Sequence, residues 1–185
     1  MTILIILAAI VVIGLMVASA YNSLVKRRND RENAFADIDV QLKQRHDLIP
    51  QLVETVKGYA AHEKETFERV ISARNGAVSA RSIDEKIAAE NTLTSALAGL
   101  RVTVEAYPEL KANQNFLQLQ GEISTIENKL SSARRYFNAA TRELNNAVQS
   151  FPSNIVAGLF GFHKETMFDL GEQRSRLEEA PKIQF

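Results

Sequence analysis

Apolar positions divide the chain into one uninterrupted hydrophobic segment and three amphipathic patterns. Ile3–Ala20 contains no charged residue, and its length approaches that of a membrane-spanning helix. Tyr21 follows it, where an interfacial aromatic residue would lie. A cleaved signal peptide is one alternative, because Ala18-Ser19-Ala20 resembles a cleavage site, and a buried core helix is another. The segment has neither a basic residue before it nor a polar stripe, so we expect a retained transmembrane anchor.

The first amphipathic pattern advances in alternating steps of three and four residues, which is the a/d repeat of a packed helix. No proline or glycine lies between Gly14 and Pro50, so one helix is predicted to continue from the anchor into the body. Pro50 predicts a kink rather than a break, because the repeat keeps its phase across it. Asn75-Gly76 predicts a later helix end. The repeat positions are Phe35, Ile38, Leu42, Arg45, Ile49, Leu52, Val56 and Tyr59.

Two further repeats predict two more helices. Ser82 with Glu85 three residues later is a capping box that starts one of them, and Pro108 ends it. The other ends at Pro152. We expect the repeats to pack on one another within the chain, with an outward face toward other subunits as the alternative. The second repeat is Leu93, Leu97, Leu100, Val104 and Tyr107; the third is Phe116, Leu119, Ile123, Ile126, Leu130, Ala133, Phe137, Ala140, Leu144, Ala147 and Phe151.

A short apolar segment follows Pro152. Ser153-Asn154 is the predicted N-cap of a helix over the segment Ile155–Phe162, which packs as a lid on the bundle or contacts the membrane or another subunit. The charged stretch Glu165–Ala180 is predicted to be helical. The candidate residues for assembly or membrane contact are Ile155, Val156, Leu159, Phe160 and Phe162.

These patterns predict an all-α protein, in which an N-terminal transmembrane helix continues into a long antiparallel helical bundle with coiled-coil-like packing. The predicted division is residues 1–21 as the anchor, 22–152 as the bundle and 153–185 as the apolar segment and charged tail. The basic residues nearest the anchor all follow it, which predicts an outside N-terminus and a cytoplasmic body. These residues are Lys26, Arg27, Arg28 and Arg31.

Composition and motifs argue against catalysis. The 22 basic and 22 acidic residues balance, which disfavours nucleic acid as a partner, and the chain has no cysteine. His62-Glu63 begins an H-E-x-x-H pattern that Thr66 leaves incomplete, and no phosphate-binding loop or nucleophile elbow occurs. We therefore expect a non-enzymatic protein without metal, cofactor or small-molecule substrate. A hydrolase completed at a subunit interface is the opposing hypothesis.

A polar cluster interrupts the first repeat at Arg45-His46-Asp47. Arg45 occupies a repeat position, where a paired group that sets helix register is commoner than a catalytic one. If the chain binds a membrane-protein partner, these three residues and the turn containing Tyr107 and Lys111 are the candidate contacts.

Several short motifs stand out between Tyr21 and Pro152. They include Ile38-Asp39-Val40-Gln41-Leu42, Asp47-Leu48-Ile49-Pro50, Val56-Lys57-Gly58-Tyr59, Glu105-Ala106-Tyr107-Pro108, Arg134-Arg135-Tyr136 and Phe151-Pro152. With these motifs the chain resembles the LemA family of bacterial membrane proteins. Phe35, Gln51 and Leu144 depart from the usual family residues by conservative changes. The resemblance implies an N-terminal transmembrane helix, an antiparallel helical domain and a bacterial inner-membrane location, with no established activity or cofactor.

Two functional hypotheses fit these features. The first is a scaffold that self-assembles at the bacterial inner membrane for envelope organisation or remodelling, with the lipid bilayer and further copies of itself as partners. The second is an adaptor that binds another membrane protein, such as a sensor or a protease.

Overall fold

The computed structural model describes residues 1–168, and within that range every regular element is a helix. The prediction of an all-α protein is confirmed for these residues. The predicted helix over Glu165–Ala180 lies mostly outside them. The helices are α1 (Thr2–Lys57), α2 (Lys64–Ser79), α3 (Ile83–Glu105), α4 (Pro108–Lys111), α5 (Gln114–Gln149) and α6 (Ser153–Phe160).

Helix α1 continues through Pro50 and ends before Gly58, so the expected absence of a break at the proline is confirmed. The prediction that the repeat keeps its phase is wrong. After Ile49 the buried positions are Val53, Val56 and Ala60, whereas Leu52 is half-buried and Tyr59 is exposed. Within α1, a helix with 3.6 residues per turn drifts relative to a strict seven-residue repeat, which favours burial of Val53 over Leu52. Tyr59 and Ala60 lie beyond the end of the helix at Lys57.

Helix α2 passes through Asn75-Gly76, so the predicted helix end there is wrong. A glycine inside a helix costs roughly 1 kcal/mol relative to alanine. Ala77, one residue further on, is buried in the same core as Phe67 and Val70. Burial of this face therefore outweighs the local preference of glycine, and the helix continues to Ser79.

The predicted start of α3 is confirmed. The Ser82 hydroxyl accepts from the Glu85 backbone N–H at 3.1 Å, and the Glu85 carboxylate accepts from the backbone N–H groups of Ser82 and Arg81. These bonds satisfy donors that a helix N-terminus leaves unpaired. Helix α3 ends at Glu105, and Pro108 begins α4 at the position where a missing N–H has no cost.

The capping box predicts a pH-dependent contribution to stability. The backbone N–H bonds from Arg81 and Ser82 lower the pKa of Glu85 below its ordinary value of 4.5. Because the pKa of Glu85 is lower in the folded chain than in the unfolded chain, its carboxylate stabilises the fold at pH values above the ordinary pKa. This contribution disappears as the pH falls through the folded-state pKa. We expect wild type to melt at a higher temperature than Glu85→Gln at pH 7, and the difference to shrink progressively below pH 4.5. A difference in melting temperature independent of pH would contradict this.

Helix α5 covers the third repeat but ends at Gln149, before its last predicted member. Phe151 is 81% exposed, so its predicted place in the buried seam is wrong. The predicted cap at Ser153-Asn154 is also wrong, because α6 starts at Ser153 itself and Pro152 occupies the N-cap. The Ser153 hydroxyl instead donates to the backbone carbonyls of Ala147 and Ser150, which ties the start of α6 to the end of α5.

The chain divides into two compact units, and both α1 and α5 contribute to each. Unit 1 comprises Met1–Ile38 and Ser131–Met167; unit 2 comprises Asp39–Leu130 and, among the described residues, Phe168. The predicted boundaries after residues 21 and 152 remain predictions, as does antiparallel coiled-coil packing. The core of unit 2 is formed by Ile49, Val53, Val56, Ala60, Phe67, Val70, Ala77, Leu93, Leu100, Val104, Leu110 and Phe116.

In unit 1 the N-terminal part of α1 carries the predicted anchor. Among the described residues, α1 is the helix that is long and apolar enough to cross a membrane, and no residue of its apolar window is buried. The same helix then contributes the fully buried Leu24, Ala34 and Ile38 to the unit. An exposed apolar segment and a core-forming segment are thus parts of one continuous helix.

Candidate functional site

Unit 2 contains a buried charge network centred on Glu90 of α3. The Glu90 carboxylate is 1% exposed. Arg45 donates to its Oε2 at 3.2 Å, and the His46 Nε2 lies 2.5 Å from its Oε1. Both partners are themselves buried residues of α1. A buried carboxylate must be paired to be tolerated, and these two contacts supply that pairing between α1 and α3.

Two further contacts extend this network to other helices of unit 2. Arg45 also reaches the Glu127 carboxylate of α5 at 3.4 Å. The Arg74 Nε of α2 donates to the backbone carbonyl of His46 at 3.2 Å. The residues Arg45 and His46 therefore connect α1 to α2, α3 and α5, which agrees with the interpretation of Arg45 as a register-setting group.

Glu90 was missed by the sequence analysis, although the pattern contained a signal for it. The second repeat, predicted from Leu93 onward, extends backward in steps of three to Glu90 and Ile87. All three residues are buried. A charged residue at an apolar repeat position needs a partner of opposite charge, and Arg45 is the charged residue at a repeat position of α1. The charged residues Arg45 and Glu90, each at an apolar repeat position, together predict this ion pair.

The remaining candidate partner contacts lie closer to the surface of unit 2. Asp47 is exposed, unlike its buried neighbours Arg45 and His46. Tyr107 is half-buried, and its hydroxyl lies 3.5 Å from a Glu63 carboxylate oxygen. Lys111 is exposed and forms an ion pair with Glu105. The hydrogen bond and charge of Lys111 lower the pKa of Glu105.

Metal-binding geometry is not found within residues 1–168, where no three histidine, aspartate or glutamate side chains converge as metal ligands do. The buried residues around Glu90 form contacts between helices. They form a structural charge network within unit 2. The second chemically distinctive feature of the chain is an exposed apolar surface in unit 1.

In unit 1, α6 packs against α1 at the C-terminal end of the apolar segment. Val156, Ala157 and Phe162 are buried against Leu24, with Val17 and Ala20 at the edge of the cluster. The ring of Tyr21 lies 4.8 Å from that of Phe160 and 5.9 Å from that of Phe162. The guanidinium of Arg28 lies 5.1 Å from the centroid of the Phe162 ring, within cation–π distance.

The other face of α6 is apolar and exposed. Of the five candidate residues in this segment, Val156 and Phe162 are buried, whereas Ile155, Leu159 and Phe160 are exposed. Leu159 is 75% exposed, and Phe151 lies exposed just before the helix. One face of the segment therefore packs on its own unit, and the other face is exposed.

The chain after α6 is held in place by Arg31, which the sequence analysis used only to predict membrane orientation, and by Asn145, which it did not single out. Arg31 is buried, pairs with Glu165 at 3.2 Å and donates to the backbone carbonyl of Thr166. Asn145 exchanges two hydrogen bonds with the backbone of Glu165, at 2.9 and 2.7 Å. Together with the left-handed Gly161, at φ 72°, these contacts turn the chain back onto α1 and α5 and fix the position of α6.

Taken together, an exposed apolar helix of spanning length and an all-helical body define a membrane-associated helical protein. The sequence matches the LemA family over residues 34–185, and the chain belongs to that family. The resemblance seen in the sequence motifs is thereby confirmed.

Individual relatives are distant. Protein LemA of Metamycoplasma hominis is 26% identical over 153 residues, which cover 82% of this chain and 69% of the relative. Magnetosome protein MamQ of Magnetospirillum gryphiswaldense is 22% identical over 174 residues, covering 80% of this chain and 64% of the relative. Magnetosome protein MamQ 2 of Paramagnetospirillum magneticum is 21% identical with the same coverage. The chain thus spans less than two thirds of the length of these magnetosome proteins.

Proposed function

We propose that this protein is a non-enzymatic, membrane-anchored helical scaffold that self-assembles at the bacterial inner membrane, with its body on the cytoplasmic side, and organises or remodels the envelope. The observation that carries the proposal is the continuity of α1. Its apolar segment has no buried residue, yet the same helix provides Leu24, Ala34 and Ile38 to the core of unit 1.

This continuity matters for a scaffold because it leaves no linker between the anchor and the rest of unit 1. An apolar segment that is exposed in the isolated chain needs an apolar environment, which a bilayer supplies. Since the helix rises about 1.5 Å per residue without interruption, the orientation of each anchor in the bilayer fixes the orientation of its unit. Association of anchors would then order the attached units.

A surface for association of anchors lies at Gly14 and Ala18, which are four residues apart and share a helix face. Apart from the backbone of its own helix turn and its chain neighbours, no atom lies within 4 Å of the position that a Cβ at Gly14 would occupy. Small residues at this spacing let two membrane helices approach closely, so that packing and weak hydrogen bonds stabilise the pair. We propose that this face starts assembly in the bilayer.

In the body, the proposed role of the charge network around Glu90 is to fix helix register. We propose that the long helices pack as an antiparallel bundle with coiled-coil-like contacts, for which one buried polar pair selects a single alignment at some cost in stability.

Replacing Gly14 with isoleucine is expected to weaken assembly. The added side chain prevents close approach, and we expect association in a bilayer to weaken roughly tenfold. The measurement is the number of photobleaching steps per vesicle for the labelled full-length protein at matched density. Ala9→Ile is the matched control. It adds a side chain of similar size, and Ala9 lies roughly 140° around the helix from Gly14.

An unchanged copy number in Gly14→Ile would contradict assembly through this face. If every variant remained at one copy per vesicle, self-assembly itself would be rejected. The adaptor function would then be favoured, with the exposed Asp47 and Lys111 as its first contacts to test.

A further inference from the structure

The position of α6 relative to the apolar segment is fixed by side-chain packing. Val156, Ala157 and Phe162 form one cluster with Leu24, and Val17 and Ala20 border it. The Tyr21 ring contacts Phe160 at 4.8 Å. If Ile3–Ala20 crosses the hydrocarbon core, as the proposed function requires, α6 therefore lies beside the end of the span, where hydrocarbon gives way to lipid headgroups.

The exposed face of α6 has the composition of a lipid contact. Ile155, Leu159 and Phe160 are exposed, and Phe151 is 81% exposed immediately before the helix. No charged residue occurs between Phe151 and Phe162. Large apolar side chains clustered on one surface are costly in water, so they indicate a contact with an apolar partner.

Charged side chains are placed beyond this face, where headgroups would be. Lys26 and Arg28 are exposed on α1, about 8–11 Å past Tyr21 along the helix axis at 1.5 Å per residue. Arg28 also covers the Phe162 ring at 5.1 Å. An apolar face next to the span with cations just beyond it matches the order of acyl chains and anionic headgroups in a leaflet.

We propose that α6, together with Phe151, inserts its exposed face into the boundary between acyl chains and headgroups of the leaflet next to Tyr21. The occupant of this face is lipid, and not a second copy of the chain. Continuity of the face with the end of the anchor, and the exposed cations Lys26 and Arg28 just beyond it, argue for lipid because this order matches acyl chains followed by anionic headgroups. This inference rests on the membrane anchoring of the proposed function.

The test uses single cysteines, which the cysteine-free chain allows without other changes. Leu159→Cys reports on α6, Val11→Cys on the anchor, and Tyr136→Cys on an exposed residue of α5 in the same unit. Each full-length protein is spin-labelled and placed at one copy per nanodisc. Accessibility of the label is measured to oxygen, which concentrates in lipid, and to a water-soluble nickel complex.

We expect the labels at 159 and 11 to be accessible to oxygen and protected from nickel, and the label at 136 to be open to nickel. A nickel-accessible label at 159 with a protected label at 11 would overturn this inference and leave the anchor intact. Nickel access at both positions would reject the membrane anchoring itself. Protection at 159 that appears only with several copies per disc would assign the face to a second copy and overturn the lipid contact.

Discussion

Replacing Glu90 with alanine is expected to lower the free energy of unfolding by about 3–5 kcal/mol, the range for breaking a buried ion pair by removing one partner. Glu90 is 1% exposed and is the shared acceptor for Arg45 at 3.2 Å and His46 at 2.5 Å. Without it the Arg45 guanidinium, 3% exposed, keeps only a 3.4 Å contact with Glu127. The destabilisation comes mainly from this insufficiently compensated buried cation.

The matched control is Glu127→Ala, which removes the other carboxylate that contacts Arg45. Glu127 is 53% exposed, so solvent screens its charge and we expect a loss below about 1 kcal/mol. Denaturant unfolding of the full-length protein in detergent, followed by circular dichroism, measures both variants. Equal losses for the two would contradict the assignment of Glu90 as the centre of the network.

A triple replacement tests whether the charge network sets helix register without adding to the free energy of unfolding. Changing Arg45, His46 and Glu90 together to apolar residues of similar volume removes the charges and their desolvation cost at once. Buried ionic groups replaced in this way often leave stability unchanged or higher. Because the proposed role of the network is to set register, we expect this variant to regain most of the free energy of unfolding that Glu90→Ala loses.

The second large effect is expected in unit 1, where Phe137→Ala should cost about 3–5 kcal/mol, because it leaves a cavity in a packed core. Phe137 is 0% exposed. Its ring lies 5.4 Å from that of Phe35 in an edge-to-face arrangement, and the Arg31 guanidinium lies 5.0 Å from its centroid. The substitution therefore removes an aromatic pair and a cation–π contact as well as buried area.

Tyr136→Ala is the control for this prediction, since the neighbouring aromatic residue is 61% exposed. We expect its effect to stay within about 0.5 kcal/mol, as for most surface substitutions. Hydrogen exchange locates the effect, because Phe137→Ala should lower protection first in residues 20–38 and 131–149. A loss of similar size in both variants would show that the core of unit 1 is not centred on Phe137.

Features that depend on a few neighbouring residues could be predicted from the sequence. The capping box of Ser82 and Glu85 formed as expected, because both partners lie within one helical turn. The continuity of α1 past Pro50 was expected because apolar repeat positions lie on both sides of the proline. The apolar character of residues 155–162 predicted a helix with an open face.

Features decided by tertiary packing could not be predicted in the same way. Within α1, Val53 rather than Leu52 is buried because helix geometry drifts from a seven-residue repeat. Helix α2 passes Gly76 because Ala77 is buried beyond it. The partner of Arg45 lies 45 positions away in sequence, and only the packing of α3 on α1 brings Glu90 to it.

The most direct test of the central claim is the mass of the full-length protein extracted together with its native lipids, beside a chain that begins at Tyr21. The proposed scaffold predicts a discrete particle of several copies for the full-length protein and a single copy for the shortened chain. A single copy in both would contradict self-assembly. The helical repeats would then pack only within one chain, and the partner to look for would be a different membrane protein.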